Sequence, residues 1–181
     1  MSGQSITELS ARLQKVEDEL AVRNLMVRYG LAVDGGDSAA AESLFTKDSI
    51  YDVAAPDTGM EAERGEARAS YIMEGPDDIA AMVEGPGHQS LLPNSAHTLG
   101  PDEVWIEGDI AYATGYSRLY LKEGDEFRLL RLSINSWTFK KQIDGRWLIH
   151  RRATRPRGGA EAHQILKDTV SRYKKDSGYE F

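Results

Sequence analysis

Four histidines, His88, His97, His150 and His163, are the side chains of this chain best suited to carry a proton near neutral pH. Their spacing forms no His-x-x-x-His pair and no cluster with carboxylates, so no metal site is expected. The chain has no cysteine, which excludes a thiolate nucleophile, a thiolate metal site and a disulfide scaffold. It also lacks G-x-S-x-G, a P-loop and G-x-G-x-x-G. His88 stands in a Gly/Pro-rich stretch and reads as solvent-exposed. His150 lies on a strand among arginines and His163 on a polar helix, and neither shows a partner by spacing. The run IHRRATRPR (149–157) reads as a solvated strand end rather than a nucleic-acid patch.

The elements that must position such groups are legible from periodicity. Ile6, Leu9, Leu13, Val16 and Leu20 follow a 3-4-3-4 spacing on one helix face, and the pattern continues through Leu25, Met26 and Tyr29. Ser5-x-x-Glu8 is a capping box at its start, and Gly35-Gly36 stops it. A helix of roughly 28 residues is long for a globular domain, so its first half packs either against another subunit or along its own domain. Asp37 or Ser38 caps a second helix over 39–45. Residues 48–53 read as a first strand, 54–65 as a hairpin or loop, and 66–73 as a third helix. The Gly- and Pro-rich segment 75–93, with a short helix over 77–83, reads as a mobile loop or a lid over a site. Four strands follow at 96–107, 109–122, 126–141 and 147–154, joined by turns, with Gly100-Pro101 predicting a bulge or bend in the first. Residues 160–173 read as a helical tail.

Length and charge bound the rest. At 181 residues one domain spanning 1–181 is expected, with an N-terminal helical extension and a C-terminal helical tail. The net charge of -7, from 22 basic and 29 acidic residues, opposes general nucleic-acid binding. The opening MSGQSITELS has neither basic flank nor apolar run, so no signal peptide, no membrane partner and a cytoplasmic location are expected. Helices on one face of a bent antiparallel sheet make an α+β fold, and a curved sheet closed by helices leaves a cavity for a small ligand.

Four stretches carry a resemblance: VEDELAVRNLMVRYGLAVDGGD (16–37), SLFTKDSIYD (43–52), SAHTLG (95–100) and DGRWLIHRR (144–152). Together they resemble the SnoaL-like branch of the nuclear transport factor 2-like superfamily. That branch includes polyketide cyclases, scytalone dehydratase, bile-acid 7α-dehydratase and lindane dehydrochlorinase. The resemblance implies a cone-shaped, cystatin-like α+β fold whose curved sheet wraps the N-terminal helices, and a homodimer or homotrimer. It also implies a catalytic Tyr29 and Asp34 at the end of the first helix and a catalytic His97 on a strand. An arginine on the last strand, Arg152 or Arg151, would line the pocket. Arg152 fits the family spacing from Trp147, while strand alternation groups Arg152 with Leu148 and His150, and Arg151 with Trp147 and Ile149. Many relatives have a second histidine directly after the first, where this chain has Thr98. Ser133 and Asn135 share a strand face and resemble a pocket Ser-x-Asn pair of scytalone dehydratase; with Trp137 they are the expected substrate contacts.

An aspartate bonded to a histidine fixes the imidazole tautomer and stabilises the imidazolium formed when the ring takes a proton. The resemblance therefore implies a dehydratase-type lyase that uses no cofactor. His97 would remove a proton beside a carbonyl of a small hydrophobic compound, Asp34 would orient it, and Tyr29 and Arg152 would hold the oxyanion. A ketosteroid-isomerase or polyketide-cyclase type reaction with Asp34 as base is the alternative. A third reading is a non-catalytic small-ligand binding protein.

Overall fold

Helix α1 (Ile6–Asp34) begins at the expected capping box: the Glu8 N–H donates to Ser5 Oγ at 3.2 Å, and the Ser5 N–H to Glu8 Oε2 at 2.9 Å. Its end is a paired turn. The Gly36 N–H donates to the Val33 carbonyl at 3.1 Å and the Asp37 N–H to the Ala32 carbonyl at 3.0 Å. Gly36 enters the left-handed region with φ 69°, where a side chain would be strained. Asp34 is thereby held as the last helical residue.

The computed structural model describes residues 5–54 and 70–177. One side of α1 is buried from Asp18 onward, through Val22, Leu25, Tyr29 and Val33. The Asp18 carboxylate marks the docking point, accepting from Trp147 Nε1 at 2.9 Å and pairing with Lys141 Nζ at 2.8 Å. Residues 5–17 are exposed throughout. The stripe Ile6, Leu9, Leu13, Val16 and Leu20 is at least half exposed at every position. At 3.6 residues per turn that stripe lies about 180° around the helix from the buried one. The helix thus carries two apolar faces, and the domain covers one of them.

Helix α2 (Ser38–Glu42) is capped by Asp37, whose Oδ1 accepts the Ala40 N–H at 2.9 Å. It stops three residues short of expectation because Phe45 already belongs to strand β1 (Phe45–Ala54). The third helix expected over 66–73 is corrected. Residues 66–69 lie outside the described residues, as does nearly all of the expected hairpin or loop at 54–65, and Ser70–Glu74 is a strand, β2. It pairs antiparallel with β1 from Ile50↔Glu74 to Ala54↔Ser70. Tyr71 and Ile72 tolerate either conformation locally, and the open edge of β1 decides for the extended one. The segment 75–93 is also more regular than expected, forming α3 (Gly75–Glu84) and the single turn α4 (Pro86–Gln89).

The first long strand is broken at Gly100-Pro101 into β3 (Ser95–Leu99) and β4 (Glu103–Glu107). Both pair with β5 (Ile110–Glu123), β4 along its first half and β3 along its second. Strands β6 (Glu126–Lys141) and β7 (Trp147–Pro156) complete the sheet, followed by α5 (Ala160–Ser177). The strand order is β2-β1-β7-β6-β5-β3, with β4 beside β5. The sheet is mixed and does not close: β1 runs parallel to β7 and every other pair is antiparallel. The α1 residues Val22, Leu25, Met26 and Tyr29 share one core with Trp137, Phe139 and Ile149 of the sheet. Among the described residues no helix is long and apolar enough to cross a membrane.

Candidate active site

Helix α1 and strand β3 meet where the chain can approach most closely. A Cβ at Gly30 would stand 3.4 Å from the His97 carbonyl oxygen, so the missing side chain lets the strand lie against the helix. One turn later Asp34 faces the same residue. Its Oδ1 is 2.6 Å from His97 Nδ1, and its Oδ2 accepts the His97 backbone N–H at 2.7 Å. Among the described residues strand β3 pairs only on its β5 side, so that N–H would otherwise lack a ladder partner. An ionised carboxylate only accepts, so Nδ1 carries the ring proton and Nε2 keeps its lone pair.

Arg152 reaches the interior by a route that alternation alone misses. The β6–β7 register pairs Phe139 with Ile149 and then Thr138 with Arg151, skipping His150. This slip carries the inward phase from Trp147 and Ile149 to Arg152 and Thr154, and it turns Arg151 out to solvent. The Arg152 guanidinium donates to Asn135 Oδ1 from Nε at 3.1 Å and Nη2 at 2.9 Å. It lies over the rings of Trp137, Tyr51 and Tyr29, at 4.2, 4.5 and 4.7 Å from their centroids. Burial pushes the Tyr29 phenol up from its ordinary value, and the neighbouring Tyr51 adds to this, so Tyr29 stays protonated as a donor.

Tyr29, His97 and Arg152 line a cavity of about 420 Å³ together with Tyr51, Met73 and His88. Ser133, Asn135 and Trp137 do face inward but do not line it. They are essentially fully buried, and Arg152 stands between Asn135, Trp137 and the cavity. Asn135 and Trp137 instead contact the Arg152 guanidinium in this structure.

Two residues of the site were not legible beforehand. His88, expected in solvent, is half-buried in the cavity wall, its ring centroid 6.1 Å from that of His97. Its Nε2 lies 2.8 Å from the Val33 carbonyl, which can only accept, so Nε2 bears the proton and Nδ1 the lone pair. Helix formation over 75–89 brings it there, and no local pattern announced it. Asp102 is buried behind Arg152. Burial raises its carboxyl to about 6, with Arg152 and Arg23 opposing the rise. A Cβ at Gly115 would stand 1.7 Å from Asp102 Oδ1, so that mid-strand glycine makes the space the carboxyl occupies. Gly115 was the available signal. No group of three or more potential metal ligands occurs among the described residues.

Residues 14–153 match the model of the SnoaL-like domain. The chain belongs to the SnoaL-like family. A nuclear transport factor 2-like protein with a cystatin-like fold from Novosphingobium aromaticivorans is 34% identical, with TM-score 0.76 over 91% of this chain and 99% of that one. A putative scytalone dehydratase from the same organism superposes with TM-score 0.60 at 15% identity, over 79% of this chain and 86% of that one. A hexachlorocyclohexane dehydrochlorinase from Novosphingobium barchaimii gives 0.61 at 15%, over 81% and 90%. The last two likenesses are likenesses of fold. Among curated proteins none matches the sequence significantly. The SnoaL-like fold accounts for the placement of α1 against the curved sheet and for the cavity between them.

Proposed function

We propose that this SnoaL-like protein is a dehydratase-type lyase acting on a small hydrophobic carbonyl compound without a cofactor. The observation that carries the reading is the Asp34–His97 contact at a cavity wall. His97 Nε2 takes the α-proton, and the electron pair of that C–H bond moves into an enolate. Tyr29 O–H and the Arg152 guanidinium hold the enolate oxygen. The enolate then re-forms the carbonyl, a C=C bond forms, and the β C–O bond breaks. The departing hydroxyl takes a proton from His88 or from the His97 imidazolium and leaves as water. A protonated His88 would deliver through Nδ1, because Nε2–H is committed to Val33.

The isomerase reading, with Asp34 as the base, fits less well. Both Asp34 oxygens are engaged by His97, which leaves the carboxylate poorly placed to take a substrate proton. We also propose a homo-oligomer in which the uncovered apolar stripe of α1 meets a second copy. The deciding experiment follows formation of the conjugated product by absorbance from a panel of β-hydroxy carbonyl substrates. Turnover by the wild-type chain that is lost in His97→Ala supports the lyase. Turnover that survives His97→Ala and is lost in Asp34→Asn supports the isomerase-type base. Ligand binding with no turnover of any of them supports the binding protein.

A further inference from the structure

The cavity walls contrast with the rest of the molecule. The chain carries a net charge of -7, yet among the described residues the cavity lining includes Arg118, Arg131, Arg152, His88 and His97 and no aspartate or glutamate. Such a lining costs free energy in an empty site and returns it when an anion enters. We infer that the ligand of this cavity carries a negative charge, received by Arg131 at the far end from His97.

Sheet register places the two ends. Leu119 pairs with His97 across β3–β5 and with Arg131 across β5–β6. Directly paired residues project from the same face of a sheet, so His97, Leu119 and Arg131 form one row on the cavity face. Two strand spacings separate the first from the third, about 10 Å. Arg131 is half-buried and lines the cavity, but among the described residues its guanidinium has neither an ion pair nor a hydrogen bond. Its charge is felt at Tyr29, where it favours the ionised phenol, so it acts on the same interior. Arg152, by contrast, is already held by Asn135 and three aromatic rings. A planar guanidinium with open donors matches a carboxylate at two points. The ligand class is therefore a ring compound with an acid group set away from its reacting carbon, on the Arg131 side of the cavity.

This inference rests on the cavity being the ligand site, and it does not require the Asp34–His97 pair to do chemistry. It is tested by calorimetric titration of the full chain with 2-naphthoate and with its neutral counterpart 2-naphthamide. The wild-type chain should bind the carboxylate at least about tenfold more tightly, and added salt should shrink the difference. Arg131→Gln should erase the preference without changing the affinity for the amide, while Arg131→Lys keeps part of it. His97→Ala should leave the preference intact, so a failure of the lyase reading would not be mistaken for a failure of this one. Equal affinities, a preference for the amide, no binding of naphthoate, or a preference that survives Arg131→Gln would each overturn the inference.

Discussion

Asp34 holds His97 at two points, its Oδ1 on the imidazole Nδ1 at 2.6 Å and its Oδ2 on the backbone N–H at 2.7 Å. One carboxylate thus sets the tautomer of the ring and anchors the strand that carries it. His97→Ala removes the proton acceptor and its bond to Asp34 Oδ1 but keeps the backbone N–H held by Oδ2, and should lower kcat by about 10²–10⁴-fold. Asp34→Asn should cost as much or more, up to about 10⁴-fold by analogy with a serine-protease triad. It should also lower the urea midpoint, because a bond to a charged group is worth about 1.5–3 kcal/mol. A variant Asp34→Asn with unchanged stability would show that the backbone anchor is unimportant.

The role of His88 can be separated from that of His97 by the leaving group. A hydroxyl needs a proton as it departs, whereas a halide leaves as an anion. His88→Ala should slow dehydration of a β-hydroxy substrate by about 10²-fold or more and leave elimination from the β-halo analogue nearly unchanged. Equal losses on both substrates would reduce His88 to a wall of the cavity.

Asp102 makes stability depend on pH. Its carboxyl stands at about 6 in the folded chain against 3.8 in the unfolded one, raised first by burial. The folded state therefore holds this proton more tightly than the unfolded state does. That contribution is full below pH 4 and is lost as pH rises through about 6, amounting to about 2–3 kcal/mol. Asp102→Asn keeps the shape and removes the titration. Urea unfolding should find it more stable than wild type at pH 8 by roughly this amount, with the gap closing near pH 4. A gap that does not vary with pH would contradict the assignment.

The exposed stripe of α1 should be visible as mass. Leu13 and Val16 are 58% and 54% exposed, so a charge at either cannot disturb the core. Light scattering over a dilution series should show an oligomer for the wild-type chain. Leu13→Glu and Val16→Glu should each lower the mass at equal concentration while circular dichroism stays the same. A monomeric wild type, or variants of unchanged mass, would mean that this stripe does not meet a second copy.

What the sequence determined by itself is local or carried by family motifs. The capping box at Ser5, the glycine stop after Asp34 and the β5–β6 and β6–β7 turns depend on residues a few positions apart, where sterics and hydrogen bonding are decided within the segment. The Asp34–His97 pairing spans 63 positions, and only the family resemblance brought it within reach of a sequence reading. Tertiary structure decided whatever needed a partner from far along the chain. Tyr71 and Ile72 became strand because the edge of β1 was open to them. Arg152 rather than Arg151 turned inward because the sheet slips by one residue at His150. His88 left solvent because α3 and α4 fold it onto the Val33 carbonyl, and Asp102 found room over Gly115. In each case the competing local states lie within about a kcal/mol of one another, and long-range pairing or burial is worth more than that.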